Sequence, residues 1–283
     1  MKLFCFGLGY SAQELARKLS GRADHVVGTH TGSAGAPMRG LTLVTYRGDG
    51  PSQDVRAHLD GVTHVLVSIP PDLEGDIVLR QHGLDLAQLP SLEWVGYLST
   101  IGVYGDAKGT WIDETHALRP KSERSLRRVH TENAWLKFAD ETGKRVEIFR
   151  LSGIYGPGRS VIDNLRAGTA RRIVKSGQVF NRIHVEDIAR VVAKAIDTPT
   201  EHRIYNVTDD EPAPPEDVMV FAAGLLGIEP PPAIPFEQAE LSPMAASFWA
   251  ENKRVRNDRI RNVLRADLLY PTYREGLQAI LND

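Results

Sequence analysis

Short, nearly continuous apolar runs alternate with amphipathic helical patterns over the first half of the chain. Strands that are buried on both faces have this character, because helices cover both sides of a parallel sheet. The pattern therefore predicts an α/β fold with a doubly wound parallel sheet. The predicted strands are Lys2–Phe6, His25–Gly28, Leu41–Tyr46, His64–Ser68, Trp94–Ser99 and Arg145–Arg150.

Helical patterns separate these strands and then dominate the C-terminal part. In Ser11–Leu19 the apolar residues recur at the spacing of one helix face, and a longer pattern covers Ser122–Asp140. Weaker crossovers are expected near 52–60 and 76–88. After Arg150 the sequence predicts a Gly/Pro loop at 153–158, helices at Val185–Ile196 and Pro215–Gly227, a proline-rich surface connection at Glu229–Pro235, and helix starts at Ser242 and Asn257.

The change of character after Arg150 predicts two units. A sheet domain is expected over residues 1–152, with residues 178–198 returning to it. A small, mainly helical C-terminal lobe is expected over 153–177 and 199–283.

Composition excludes several classes of function. Charged residues make up 25% of the chain and the formal net charge is −2, so electrostatics gives no reason to expect a nucleic acid or a membrane as partner. Cys5 is the only cysteine, which excludes a disulfide framework and a thiolate metal cluster, and no metal site is expected. No segment reaches the about 20 apolar residues that span a bilayer, and the N-terminus is not typical of a signal peptide. The expected location is the cytoplasm.

The first predicted strand runs directly into a glycine-rich turn that opens the first predicted helix. Gly7 permits a tight turn, Gly9 lets the backbone approach a pyrophosphate, and Ala12 allows close packing of helix on strand. The helix N-terminus offers free N–H groups and a partial positive charge to the phosphates. The motif predicts a dinucleotide site with candidate contacts at Gly7, Gly9, Tyr10, Ser11 and Ala12. The alternative is a glycine turn in an unrelated α/β protein.

The end of the second predicted strand bears on the choice between NAD and NADP. An acidic residue there would hold the ribose 2′-hydroxyl of NAD, but the sequence has Thr29 and His30. Without a carboxylate a 2′-phosphate is not repelled, so NADP is favoured over NAD. His30 or Arg39 is a candidate for the positive charge, and the alternative for each is a solvated loop residue.

Five motifs in sequence resemble the extended short-chain dehydrogenase/reductase superfamily, in its NAD(P)-dependent epimerase/dehydratase group. They are the glycine loop at 7–12, Leu98–Gly105, Arg150–Gly158, Ile183–Ala189 and Tyr205–Val207. The resemblance implies a Rossmann-type N-terminal domain and a C-terminal lobe that holds a small-molecule substrate. It also implies that the cofactor site includes Asp49, Ser68, Ile69, Pro70 and Ser99.

The catalytic part departs from that family. Members carry Ser or Thr, then Tyr-x-x-x-Lys on the long helix, followed by Glu after four residues. Thr100 occupies the Ser/Thr position, but counting back from Glu132 places Arg124 and Arg128 where the tyrosine and the lysine are expected. Arginine is effectively never deprotonated in proteins, so Arg124 cannot shuttle a proton. The resemblance therefore implies a site that lacks the usual Tyr-x-x-x-Lys pair.

Other residues are candidates for the missing roles. Arg124 and Arg128 share a helix face and could grip an anionic substrate or the cofactor, with Arg128 near the nicotinamide ribose; the alternative is a solvated basic helix. Tyr104 is a candidate to face the cleft or to pack beneath it. Where nucleotide-sugar enzymes hold a diphosphate with arginine, this chain has Phe180, and Arg182 is a possible substitute. His116 and His130 are the remaining titratable candidates, with surface positions as the alternative.

Two hypotheses follow. The first is an NAD(P)-dependent oxidoreductase or epimerase that acts on a small, anionic substrate through a non-standard proton relay at Thr100 with water, Tyr104 or a histidine. The second is a catalytically silent NAD(P)-binding sensor or regulatory protein, because both relay residues are replaced. Fold resemblance does not decide between them. The resemblance also implies a homodimer through the helix over 122–140.

Overall fold

The computed structural model describes residues 1–32 and 40–282. Its strands are β1 Lys2–Phe6, β2 His25–His30, β3 Leu41–Thr45, β4 His64–Val67, β5 Trp94–Thr100, β6 Trp111–Ile112, β7 Arg145–Leu151, β8 Gly153–Tyr155, β9 Arg172–Val174, β10 Arg182–His184, β11 Ile204–Val207, β12 Ala233–Pro235 and β13 Arg254–Val255. Its α-helices are α1 Tyr10–Leu19, α2 Gln53–Leu59, α3 Ile77–Ala87, α4 Glu123–Thr142, α5 Val161–Arg166, α6 Val185–Asp197, α7 Pro215–Leu226, α8 Pro243–Trp249, α9 Asp258–Asn262 and α10 Tyr273–Asn282.

The predicted parallel sheet is present and confirms the α/β, doubly wound fold class. Seven strands pair in the order β11-β7-β5-β4-β1-β2-β3, and every pairing in this sheet is parallel. The chain winds outward in both directions from β1, so the strand order reverses beside β1. Ligands of open α/β sheets bind at such a reversal, outside the carboxyl ends of the strands.

Helices bury both faces of this sheet, as the apolar strands require. One core contains the apolar sides of α1 and α6 against the sheet, and a second core contains those of α2, α3 and α4 on the opposite face. The weakly patterned crossovers near 52–60 and 76–88 are α2 and α3. Helix α6 lies within the segment 178–198 that was expected to return to the sheet domain.

The seventh strand was not predicted. Ile204–Val207 pairs with β7, and the ring of Tyr205 stacks on that of Phe149 with 5.8 Å between centroids. The sequence placed 199–283 in the small lobe, whereas these four residues belong to the large sheet. A run this short, with Asn206 inside it, lacks the continuous apolar character of the other strands. Within the predicted connection at Glu229–Pro235, β12 pairs with β9.

The small lobe has a core of its own, made by α5, α7 and α10 together with Tyr155. Three short parallel pairs, β8–β10, β9–β12 and β6–β13, lie outside the large sheet. Among the described residues, no helix is long and apolar enough to cross a membrane, and no cluster of His, Cys, Asp or Glu has the grouping of a metal site.

Candidate cofactor and substrate cleft

The glycine loop is pinned between the ends of β2 and β4. The amide of Gly7 donates to Oγ1 of Thr29 at 2.7 Å, and the amide of Leu8 donates to the carbonyl of Thr29 at 2.7 Å. Ser68 Oγ donates to the carbonyl of Gly7. Gly7 has φ +86°, and a Cβ there would lie 2.9 Å from Ser68 Oγ and from Ile69 Cγ1. Glycine is required here by both the backbone conformation and the space.

Helix α1 begins in this loop without a side-chain cap. Gly9 is its N-cap, no acid lies in the first turn, and a Cβ on Gly9 would meet nothing within 4 Å. The first N–H groups and the positive end of the helix dipole therefore have no side chain competing for them. Gly9, Tyr10, Ser11 and Ala12 line an open cleft, and this arrangement fits a diphosphate.

Other predicted cofactor contacts lie at or after the ends of β2 and β3. Thr29 is 1% exposed, and its hydroxyl oxygen accepts a hydrogen bond from the Gly7 amide. It therefore holds the loop, and its side chain does not reach the cleft. His30 Nδ1 accepts the Gly32 amide at 3.2 Å at the end of β2. Asp49 is exposed after β3. Arg39 lies outside the described residues.

The cleft has a volume of about 920 Å³ and runs from the glycine loop to the small lobe. Ser68 and Pro70 line it at the end of β4, whereas Ile69 packs against the core beneath the loop. Among the predicted site residues, those lining it are Gly9, Tyr10, Ser11, Ala12, Ser68, Pro70, Ser99, Thr100, Arg124 and Arg128. The sheet topology brings these distant segments together at the carboxyl ends of β1, β4 and β5.

Thr100 ends β5 at the floor of the cleft and caps the 3₁₀ turn Ile101–Tyr104. Its Oγ1 accepts the Gly102 amide at 3.1 Å. Because the oxygen acts as acceptor in that bond, the hydroxyl hydrogen is left to donate to a substrate oxygen. Next to it, Ser99 Oγ donates to Oε1 of Glu132 at 2.5 Å, which fixes Ser99 against α4.

Tyr104 does not face the cleft. It is 1% exposed, its hydroxyl donates to Asn206 Oδ1 at 2.7 Å, and it accepts from Arg150 Nη1 at 2.9 Å. Burial is the largest influence on its hydroxyl and raises the pKa of Tyr104 to about 12. A phenol already engaged in two buried hydrogen bonds has the character of a structural group, so the structure favours the packing alternative for Tyr104 over a catalytic role.

Arg124 and Arg128 both line the cleft from the first turns of α4, whose N-terminus lies at the carboxyl edge of the parallel sheet. Arg128 is half-buried, and its Nη1 donates to the carbonyl of Leu98 at 2.7 Å and to the hydroxyl of Tyr97 at 2.8 Å. Arg124 is exposed, and its guanidinium carbon lies 4.9 Å from the ring centroid of Phe248 on α8. Arg128 is therefore held against the end of β5, and Arg124 lines the cleft beside Phe248.

Several cleft residues were missed by sequence reasoning. Arg159 lies over the Tyr10 ring, 5.9 Å from its centroid, beside the glycine loop. Lys253 is 6% exposed, donates to the carbonyl of Gly105 at 2.6 Å and pairs with Glu251; burial is the largest influence on it and lowers the pKa of its ammonium. These residues lie in loops that no periodicity marks. Arg182 lines the cleft as considered, and so does Phe180, whereas His116 and His130 are exposed outside it.

Comparison with known proteins decides the family. The sequence model of the NAD dependent epimerase/dehydratase family matches residues 58–208. The chain belongs to this family. It is 30% identical over 244 residues to Protein YeeZ of Escherichia coli K12, covering 81% of this chain and 85% of that protein.

Solved structures agree with this assignment. A conserved protein of unknown function from Silicibacter pomeroyi DSS is 46% identical and has a TM-score of 0.90, with 100% of this chain and 98% of that chain covered. The UDP-glucuronic acid 4-epimerase of Bacillus cereus in complex with NAD shares the fold at 16% identity, with a TM-score of 0.80 and coverage of 100% and 96%. The resemblance drawn from the sequence motifs is confirmed, and the chain has the NAD-binding, Rossmann-type fold of the epimerase/dehydratase family.

Proposed function

We propose that this chain binds NAD(P) in the cleft and acts as an oxidoreductase or epimerase on a small, anionic substrate. The observation that carries the proposal is the uncapped N-terminus of α1 at Gly9, which opens into the same cleft as Thr100 and Arg128. When bound, the nicotinamide would supply or accept a hydride. The protein's part is to hold the two reactants in one orientation.

Individual residues support the two halves of this cleft. The backbone at Gly9–Ala12 would hold the diphosphate, with Arg159 across from Tyr10 as an additional cation. Arg128 is held by Leu98 and Tyr97 and would contact the nicotinamide ribose. The Thr100 hydroxyl would donate to the substrate oxygen, with water as the ultimate proton source, because Tyr104 is buried away from the cleft.

We propose NADP as the preferred dinucleotide. The described end of β2 carries Thr29 and His30 in place of a carboxylate, and Asp49 is a neighbouring strand away. A 2′-phosphate would therefore meet no acid at the end of β2, and His30 would be available to it.

The proposal is tested by titrating the protein with NADPH and NADH and then following oxidation at 340 nm with a panel of carbonyl substrates. We expect tighter binding of NADPH, and we expect Thr100→Val to lower turnover by about 100-fold because it removes the hydroxyl donor. Thr45→Val, an exposed position on β3, is the matched control. If neither nucleotide binds, the proposal fails.

A nucleotide-binding protein without catalysis is the second candidate. It is favoured by Arg128, which stands at the position of the lysine in the Tyr-x-x-x-Lys pair. Its side chain is held by hydrogen bonds to Leu98 and Tyr97. Binding without turnover across the panel, together with no effect of Arg124→Tyr combined with Arg128→Lys, would establish it.

We also propose a homodimer through the segment 122–140. Helix α4 packs beside α3, and each exposes a leucine, Leu126 at 38% and Leu84 at 70%. Light scattering on a sizing column should give twice the single-chain mass, and Leu84→Glu combined with Leu126→Glu should give one chain. The same substitution at Val220, which is 45% exposed on α7, should leave the mass unchanged. A wild-type protein that elutes as one chain at all concentrations would contradict the proposal.

A further inference from the structure

Arg124 is an arginine held in place in the cleft without a counter-charge. It forms no ion pair with any residue in 1–32 or 40–282, and it reaches from α4 to the ring of Phe248 on α8. A guanidinium over an aromatic ring is engaged only at its face, so its N–H donors stay available for a carboxylate. This contact joins the sheet domain to the small lobe across the cleft.

The other cations at this end of the cleft are already compensated. Lys253 pairs with Glu251. Arg182 interacts electrostatically with buried Asp209 and donates to two backbone carbonyls. Arg124 is therefore the cation of the small-lobe end whose charge no acid in the described part of the chain offsets.

Aromatic rings form the wall beside Arg124. Phe248 is 48% exposed, and the neighbouring Trp249 makes an edge contact with Phe180 at 5.2 Å between centroids. Val179 and Ala245 complete this apolar wall of the cleft. Aromatic side chains stabilise a flat aromatic ligand through edge-to-face and offset-stacked contacts, in addition to the apolar area that the ligand buries.

The geometry points to an aromatic carboxylate as the substrate class, with its carboxylate on Arg124 and its ring against Phe180, Phe248 and Trp249. This inference rests on the proposed function, because it assigns the substrate end of the same cleft. An aromatic carboxylate matches two features of the protein there, the first with its carboxylate and the second with its ring. One is the fork of N–H donors on Arg124, and the other is the exposed apolar wall.

The test uses calorimetric titration of the protein with trans-cinnamate, with its uncharged analogue cinnamamide, and with hexanoate as an aliphatic acid, each with and without saturating NADPH. We expect cinnamate to bind at least about tenfold more tightly than cinnamamide, since a bidentate charged pair is lost in the amide. Hexanoate should bind about three- to tenfold more weakly than cinnamate, since it lacks the ring contacts.

Two variants locate the site. Arg124→Met keeps an unbranched side chain but removes the guanidinium, so it should make cinnamate and cinnamamide bind equally. Arg127→Met is the control on the same helix, because Arg127 turns back onto the carbonyl of Glu123 and does not line the cleft; it should leave all affinities unchanged.

The outcomes separate this inference from the proposed function. If NADPH binds but cinnamate does not, or if the acid and the amide bind equally, the inference is wrong and the nucleotide site stands. Equal binding of cinnamate and hexanoate would overturn the aromatic assignment. If cinnamate binds through Arg124 and no nucleotide binds, the proposed function fails while the carboxylate site stands.

Discussion

Glu132→Gln is expected to destabilise the protein by about 3–5 kcal/mol, because it leaves the charge of Arg150 buried without its partner. The two side chains are 1% and 3% exposed, and Arg150 approaches both carboxylate oxygens, with 2.7 Å from Nη2 to Oε2 and 3.2 Å from Nε to Oε1. Glutamine keeps the shape but replaces one acceptor oxygen with an NH₂ donor that faces the guanidinium.

The loss should extend beyond the pair. Glu132 also accepts from Ser99 at the floor of the cleft, and Arg150 donates to Tyr104, which donates to Asn206 on β11. The ion pair therefore ties α4, β5, β7 and β11 together through buried hydrogen bonds. Such networks lose more than one contact when a central member changes.

Urea unfolding followed by circular dichroism measures this effect. Glu123→Gln is the matched control, since Glu123 lies exposed in the first turn of the same helix, and it should change stability by less than about 0.5 kcal/mol. Glu132→Leu combined with Arg150→Met should recover part of the stability, because removing both charges also removes the burial of an unpaired one. Equal unfolding midpoints for Glu132→Gln and Glu123→Gln would contradict the assigned role.

The fold could be predicted from the sequence wherever burial imposes a pattern on several consecutive residues. The strand Lys2–Phe6 is buried on both faces and its observed bounds equal the predicted ones. Strand β11 was missed because Ile204–Val207 is only four residues long and contains Asn206, which is buried for its hydrogen bonds. Hydropathy does not predict the burial of a polar residue whose hydrogen-bonding groups find partners only in the tertiary structure.

The site residues divide in the same way: those marked by a local sequence pattern were predicted, and those that depend on tertiary contacts were not. Gly7 was identifiable because it begins a glycine pattern between a predicted strand and a predicted helix, and that pattern is local in the sequence. The structure adds the reason for glycine, which is a positive φ and the close approach of Ser68 and Ile69. The burial of Tyr104 depends on Arg150 and Asn206, which lie 46 and 102 residues away. Arg159 enters the cleft from a loop, where no periodicity marks the direction of a side chain.

Gly9→Asp should abolish nucleotide binding while leaving the fold intact or more stable. Gly9 has φ −83° and ψ −170°, which any residue adopts, and the space around its Cβ is open. Aspartate is among the preferred N-cap residues and glycine is only slightly worse, so aspartate should cap α1 and raise stability by about 0.3 kcal/mol. The same carboxylate would occupy the N–H donors meant for the diphosphate and repel it. Losing two charged hydrogen bonds lowers affinity by about 100-fold or more.

Because this substitution is expected to raise stability while it lowers nucleotide affinity, it separates an effect on the cofactor site from an effect on folding. Thermal unfolding and NADPH titration are measured on the same preparations, with Gly21→Asp as control, since Gly21 is exposed with open space beyond the other end of α1. A stable Gly9→Asp protein that has lost NADPH affinity, beside a Gly21→Asp protein that keeps it, would place the diphosphate at the N-terminus of α1. Undiminished NADPH affinity in Gly9→Asp would mean that the nucleotide does not use these amides, because a bound diphosphate and an N-cap carboxylate cannot share the same donors.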